Sequence, residues 1–146
     1  MMKIQNIILV TILFSALFLD CNEAKVDKSA VEGKIVALIP PCQGNGILIS
    51  VENIQNFGKS GNFIYNLDSL IYYQNAIFVP YFDKSTEGDN KITSPLSDGD
   101  KLIFECRIKT DADDSLFYSN MVCTLDLMPP SAPRYIITKI INYQKK

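Results

Sequence analysis

The chain contains no histidine. That removes the commonest general base, the commonest zinc ligand and every Ser-His or Cys-His nucleophile pair. The remaining residues with reactive side chains are four cysteines and two carboxylate clusters. Cys42, Cys106 and Cys123 are spaced 64 and 17 residues apart, which matches no zinc pattern. The stretch DKSTEGDN carries Asp83, Glu87 and Asp89, and DADD carries Asp111, Asp113 and Asp114. A calcium loop needs alternating oxygen ligands, a glycine turn and a closing bidentate Glu. Neither stretch has all of these, so both clusters are expected to be solvated loop charge. No Walker loop, dinucleotide-binding glycine pattern or Gly-x-Ser-x-Gly elbow occurs. The sequence therefore predicts no metal, no cofactor and no catalytic residue. A carboxylate pair for glycoside hydrolysis would need two acids across a cleft, and no pair stands out.

Aromatic residues are the other candidates. Tyr65, Tyr72, Tyr73, Phe78, Tyr81 and Phe82 crowd one stretch. Strand alternation sends Tyr72 and Tyr73 to opposite faces, so one of them should be exposed. Tyr65, Tyr72 and Tyr81 are the predicted ligand face. The competing reading is that these rings are core and rim packing, since aromatic residues are ordinary strand residues.

The N-terminal stretch, MMKIQNIILVTILFSALFLDC, begins with one basic residue, Lys3, and an apolar run covers residues 7–19. Thirteen residues suit a secretory h-region and fall short of a bilayer span. No small-x-small cleavage site follows. The run ends at Cys21, with Leu17 four residues upstream, and the polar NEAKVDKS comes next. This stretch resembles a bacterial lipoprotein precursor, departing from the pattern at Asp20, where a small residue is expected. The resemblance implies that residues 1–20 are a signal peptide and that Cys21 is lipidated, palmitate included, as the first mature residue. It implies a membrane-anchored protein of the cell envelope, on the periplasmic or surface side. One acyl group binds a bilayer only marginally, so a stable anchor needs several.

With Cys21 assigned to lipid by that resemblance, three cysteines remain for an oxidising compartment. Cys106 alternates with Leu102 and Phe104 and reads as a core residue. Cys42, in the turn PPCQGNG, and Cys123, before MPPSAP, lie near strand ends. A Cys42–Cys123 disulfide is the preferred pairing, and closing so long a span would contribute on the order of 4 kcal/mol. A Cys106–Cys123 bridge and a reactive free thiol stay open, because connectivity does not follow from sequence.

Residues 21–30 suit a flexible tether, and residues 31–146 a single domain. Val31, Gly33, Ile35, Ala37 and Ile39 alternate toward one side, and Ile47, Ile49 and Val51 continue the pattern beyond the turn. That is a half-buried hairpin. Further strands are predicted in residues 61–65, 69–82 (one or two), 101–108, 116–125 and 134–143, with polar loops at 83–100 and 128–133. The fold class is all-β: a small closed or partly open antiparallel barrel, OB-like, without a clear helix. Closure is expected to pair the last strand with the first. The order of signal, strands and cysteines resembles small Gram-negative envelope lipoproteins with one OB-like domain and no assigned activity.

The chain has 14 Lys and Arg against 16 Asp and Glu, a net charge of −2. That balance builds no phosphate-attracting field and argues against nucleic acid. The expected function is a lipid-anchored, non-enzymatic envelope domain that binds a protein or glycan partner or plays a structural role. The alternative is a carboxylate hydrolase acting on envelope glycans.

Overall fold

A computed structural model describes residues 30–65, 67–80, 82, 95–114 and 127–146. Six strands follow in order: β1 (Val31–Ile39), β2 (Gly46–Val51), β3 (Lys59–Tyr65), β4 (Ser69–Pro80), β5 (Lys101–Ile108) and β6 (Tyr135–Gln144). They form one sheet in the order β3-β4-β2-β1-β5-β6, with every strand pair antiparallel. The sheet curls until the start of β6 touches β4. The Phe78 N–H donates to Pro133 O at 2.9 Å, and Phe78 and Arg134 form an isolated parallel bridge. The result is a small, partly open antiparallel barrel.

The first strand does not pair with the last, contrary to expectation. β1 lies between β2 and β5, and β6 pairs with β5. The edge that approaches β6 belongs to β4, whose second half faces β2 on its other side. The expected strand at 116–125, and the loop at 83–100 up to residue 94, lie outside the described residues. Residues 128–133 have no regular strand or helix, in keeping with their three prolines, which lack a backbone N–H to donate.

The alternation of β1 predicts its burial. Val31, Gly33, Ile35, Ala37 and Ile39 are buried, and the residues between them are partly buried or exposed. The structure adds a bulge between Ile35 and Ala37 that the pattern does not reveal. One extra residue there shifts the phase. Val31 and Ile35 point into the barrel with Ile49, Ile77, Leu102 and Phe104, while Ala37 and Ile39 join a second cluster with Leu48, Tyr73 and Phe78. Fully burying each large side chain of these clusters contributes about 1.5–3 kcal/mol.

β4 explains the second cluster. Its first half pairs with β3 and its second half with β2. Between them Asn75 takes a left-handed conformation, φ 44°, which asparagine tolerates better than most residues. Its side chain holds the bend. Nδ2 donates to Val51 O (2.9 Å) and Ile54 O (2.7 Å), and Oδ1 accepts from the Gly58 N–H (2.8 Å). Phe63 and Tyr73 of the β3–β4 hairpin thereby pack against Ala37, Ile39 and Leu48. Residues 76–80 are consequently buried on both faces, as their unbroken apolar run suggests.

Candidate functional site

The turn holding Cys42 is a 3₁₀ turn, Pro41–Gln43, closed by Gly44 at φ 119°. A side chain at Gly44 would be strained by that φ and would meet the Phe78 ring at 3.1 Å and Pro129 at 3.2 Å. Cys42 is disulfide-bonded. Its expected partner Cys123 lies outside the described residues, as does Cys21. Cys106 is a free thiol, half-buried at the margin of the barrel core. Burial pushes its pKa up to about 11. It therefore stays protonated at neutral pH and is a poor nucleophile.

Gln43, beside Cys42, is 1% exposed. Its amide nitrogen donates to Ile64 O of β3 and, at 3.2 Å, to Met128 O. The turn thus ties together two segments far apart in sequence. The amide oxygen, Oε1, is buried and has no hydrogen-bond partner, the kind of group that folded proteins seldom leave unpaired. Between the tied segments lies a groove of about 380 Å³, lined by Asn62, Phe63, Ile64 and Leu67 on one wall and Leu127, Met128, Pro129 and Ser131 on the other. None of these described lining residues is ionisable. Ile64, Leu67 and Met128 are well exposed, with Met128 at 84%, and Leu70 and Tyr72 extend the apolar surface along the hairpin. Such a continuous patch is a common mark of an interaction site.

The predicted tyrosine face is not assembled. Asn62 pairs with Tyr72, and Tyr65 pairs with Ser69. The two-residue period therefore puts Tyr65 and Tyr72 on opposite faces of the hairpin. Tyr65 packs with the second cluster, edge-on to Phe63. Tyr72 is 71% exposed, and Tyr73 is buried with its hydroxyl 3.1 Å from Ser131 Oγ. Tyr81 lies outside the described residues.

The carboxylates divide sharply. Asp83, Glu87 and Asp89 lie outside the described residues. Asp111 and Asp114 are exposed, as expected, and Asp114 meets Lys109 at 2.8 Å. Asp113 is not solvated loop charge. It is buried, accepts two hydrogen bonds from the Arg107 guanidinium, and caps the Asp111–Asp113 turn through the Thr110 N–H (2.8 Å) and hydroxyl (3.1 Å). The Arg107 hydrogen bond first, then the Thr110 N–H, hold it well below the usual carboxylate range.

The sequence reading missed Asp100, which is fully buried. It accepts from the Ser97 N–H (2.8 Å), the Tyr143 hydroxyl (2.8 Å) and the Lys146 N–H (3.0 Å). Burial pushes its pKa up, but those donors outweigh burial and leave it below the ordinary value. Both buried acids are fully engaged by structural donors, so neither is available to protonate or attack a substrate. Among the described residues, no group of three or more Cys, Asp or Glu side chains could hold a metal ion.

No family model matches the chain, and no curated protein matches it.

Proposed function

We propose that this chain is the precursor of a lipid-anchored protein of the cell envelope whose barrel binds a partner and does not transform a substrate. The observation that carries the binding role is the groove between β3 and residues 127–131, which has an exposed apolar rim and no ionisable group among its described lining residues. The one hydroxyl among the described lining residues, Ser131, pairs with the Tyr73 hydroxyl and not with a general base that would activate it. The groove's composition suits an apolar protein surface better than a glycan, because Tyr65 and Tyr72 do not share a face. The N-terminal pattern carries the anchor at Cys21. β1 starts near the tether, and the Cys42 turn follows its far end. A nine-residue strand spans roughly 30 Å at 3.3 Å per residue. The Cys42 turn, and the groove that Gln43 ties together, thus follow the end of β1 opposite to the one the tether would join.

The disulfide reading belongs to the same proposal. Cys42 is bonded and Cys106 is not. That leaves Cys21 and Cys123 as partners, and acylation of Cys21 selects Cys123. The bridge would then brace the groove, since Cys42 adjoins Gln43.

Two measurements test this function. Cys21→Ser should abolish acyl labelling and move the protein out of the membrane fraction; a variant still labelled and membrane-bound contradicts the anchor. Affinity capture from the protein's own envelope should retain a partner with the wild type and lose it with Met128→Lys. Equal capture by both contradicts the role of the groove.

A further inference from the structure

The bend in β4 is held by one short segment. Asn75 Nδ2 donates to Val51 O and Ile54 O, and its Oδ1 accepts from the Gly58 N–H. All three partners lie in residues 51–58, the end of β2 and the loop after it. Opposite the bend, the β3–β4 register shifts between Lys59 and Gly61, and Ser60 Oγ accepts from the Asn75 N–H at 3.2 Å. A left-handed residue inside a strand, here at φ 44°, persists only where the surrounding contacts impose it. Without them an extended backbone is favoured. The bend therefore has two backbone states, and the 51–58 segment selects the left-handed one.

The same segment grips the start of β1. Asn53 Nδ2 donates to Ala30 O (2.9 Å), its Oδ1 accepts from the Glu32 N–H (2.9 Å), and the Glu52 N–H donates to Glu32 O (2.8 Å). Phe57 stacks on Tyr135 at 5.0 Å, and Ile54 and Phe57 pack on the barrel core. One short loop thus holds both the residue where the tether would join the barrel and the bend that lays the β3–β4 hairpin over it. That hairpin carries one wall of the groove, Asn62, Phe63, Ile64 and Leu67.

We infer that the β2–β3 loop is a conformational relay that couples the root of the tether to the hairpin wall of the groove. Loosening the clasp between Asn53 and Ala30 frees the loop, withdraws the carbonyls that hold Asn75, and relaxes the bend toward the extended state. The hairpin then lifts from Gln43, whose amide donates to Ile64 O. A two-state element biased from both sides is the physical basis for coupling between separated sites. Such coupling is reciprocal, so a partner that holds the hairpin down also firms the tether root. This inference rests on the anchor and groove readings proposed above and adds how one bears on the other.

Hydrogen exchange at the Gln43 side-chain amide reports the far end of the relay, read by NMR on the mature protein in detergent micelles. Asn53→Ala should speed it about threefold or more, although Asn53 is an exposed loop residue that does not line the groove. Asn53→Asp, which keeps the acceptor for the Glu32 N–H, should recover part of the protection. Asn75→Ala should speed exchange further. Combining it with Asn53→Ala should add little, because both act on one bend. Gln55→Ala, at an exposed neighbour in the same loop, should change nothing. The Ile49 amide, in a strand paired on both sides, should stay protected in every variant. Unchanged Gln43 exchange in Asn53→Ala overturns the relay. So does an equal loss of protection at Ile49, which marks general loosening of the barrel. Partner capture tests the groove reading separately and should fall with Asn53→Ala. Faster exchange with capture intact contradicts that reading and leaves the relay standing. Unchanged exchange in Asn53→Ala, with capture still lost on Met128→Lys, ends the relay and leaves the groove.

Discussion

The two ends of β5 and the turn after β1 treat buried polar atoms in opposite ways. At β5, Asp100 just before the strand and Asp113 just after it are each surrounded by donors. At the Cys42 turn, Gln43 makes two hydrogen bonds and leaves its Oε1 buried without a partner. Satisfied carboxylates hold the scaffold. The incompletely satisfied amide sits where two distant segments meet around an apolar groove. Buried polar groups left unpaired are uncommon enough that their location is informative. Here they separate the region built for stability from the region with room for a partner.

The largest expected effect comes from the cystine at the groove end. Cys42→Ala and Cys123→Ala should each cost about 2–5 kcal/mol of stability, as removal of a native disulfide from a small exported domain usually does. If the two share one bond, the double variant should be little worse than either single one. Cys106→Ala should cost less, because it trims only a half-buried thiol at the margin of the core. Urea titrations of the four variants measure this, and additive losses at Cys42 and Cys123 would break the pairing.

The next effect sharpens the scaffold side. Asp113→Asn should lower the melting temperature by several degrees, more than Asp111→Asn and Asp114→Asn together, because only Asp113 carries the Arg107 pair and the turn cap. The same pair sets an acid sensitivity. A carboxylate whose folded pKa lies below its unfolded value stabilises the fold above the unfolded pKa, and that contribution fades as pH falls from about 4 downward. Asp100 acts with the same sign. Melting temperature followed from pH 7 to pH 2 should fall steeply in the wild type and less steeply in Asp113→Asn.

Gln43→Met should change stability by only about 1 kcal/mol, since it forfeits two hydrogen bonds but also removes the orphaned oxygen. It should nevertheless weaken partner capture, because the groove walls lose their tie. Smallest of all, Tyr72→Ser should shift stability by less than about 0.5 kcal/mol, as exposed substitutions usually do.

The legible part of this fold was its period. Alternation along β1, β2 and β5 located the strands and most of the barrel core, because half-buried strands carry a two-residue signature. What alternation cannot encode is a change of phase. The bulge after Ile35 and the bend at Asn75 each come from one residue, and together they create the second cluster and lay the hairpin across it. The groove depends on that bend, so no local pattern announced it. Asp113 was hidden for a different reason: in an acidic run it looks like surface charge, and only Thr110 three residues earlier marks it as a cap. Asp100 had less signal still, since its donors come from Ser97, Tyr143 and Lys146.

The central claim, that the groove is where this protein meets its partner, is tested most directly in the intact envelope. A photo-crosslinking residue is placed at Met128 in one variant and at Lys139, an exposed site on β6, in another. The account predicts a discrete crosslinked product from position 128 and none from position 139. Equal products from both positions, or a product from 139 alone, would contradict it.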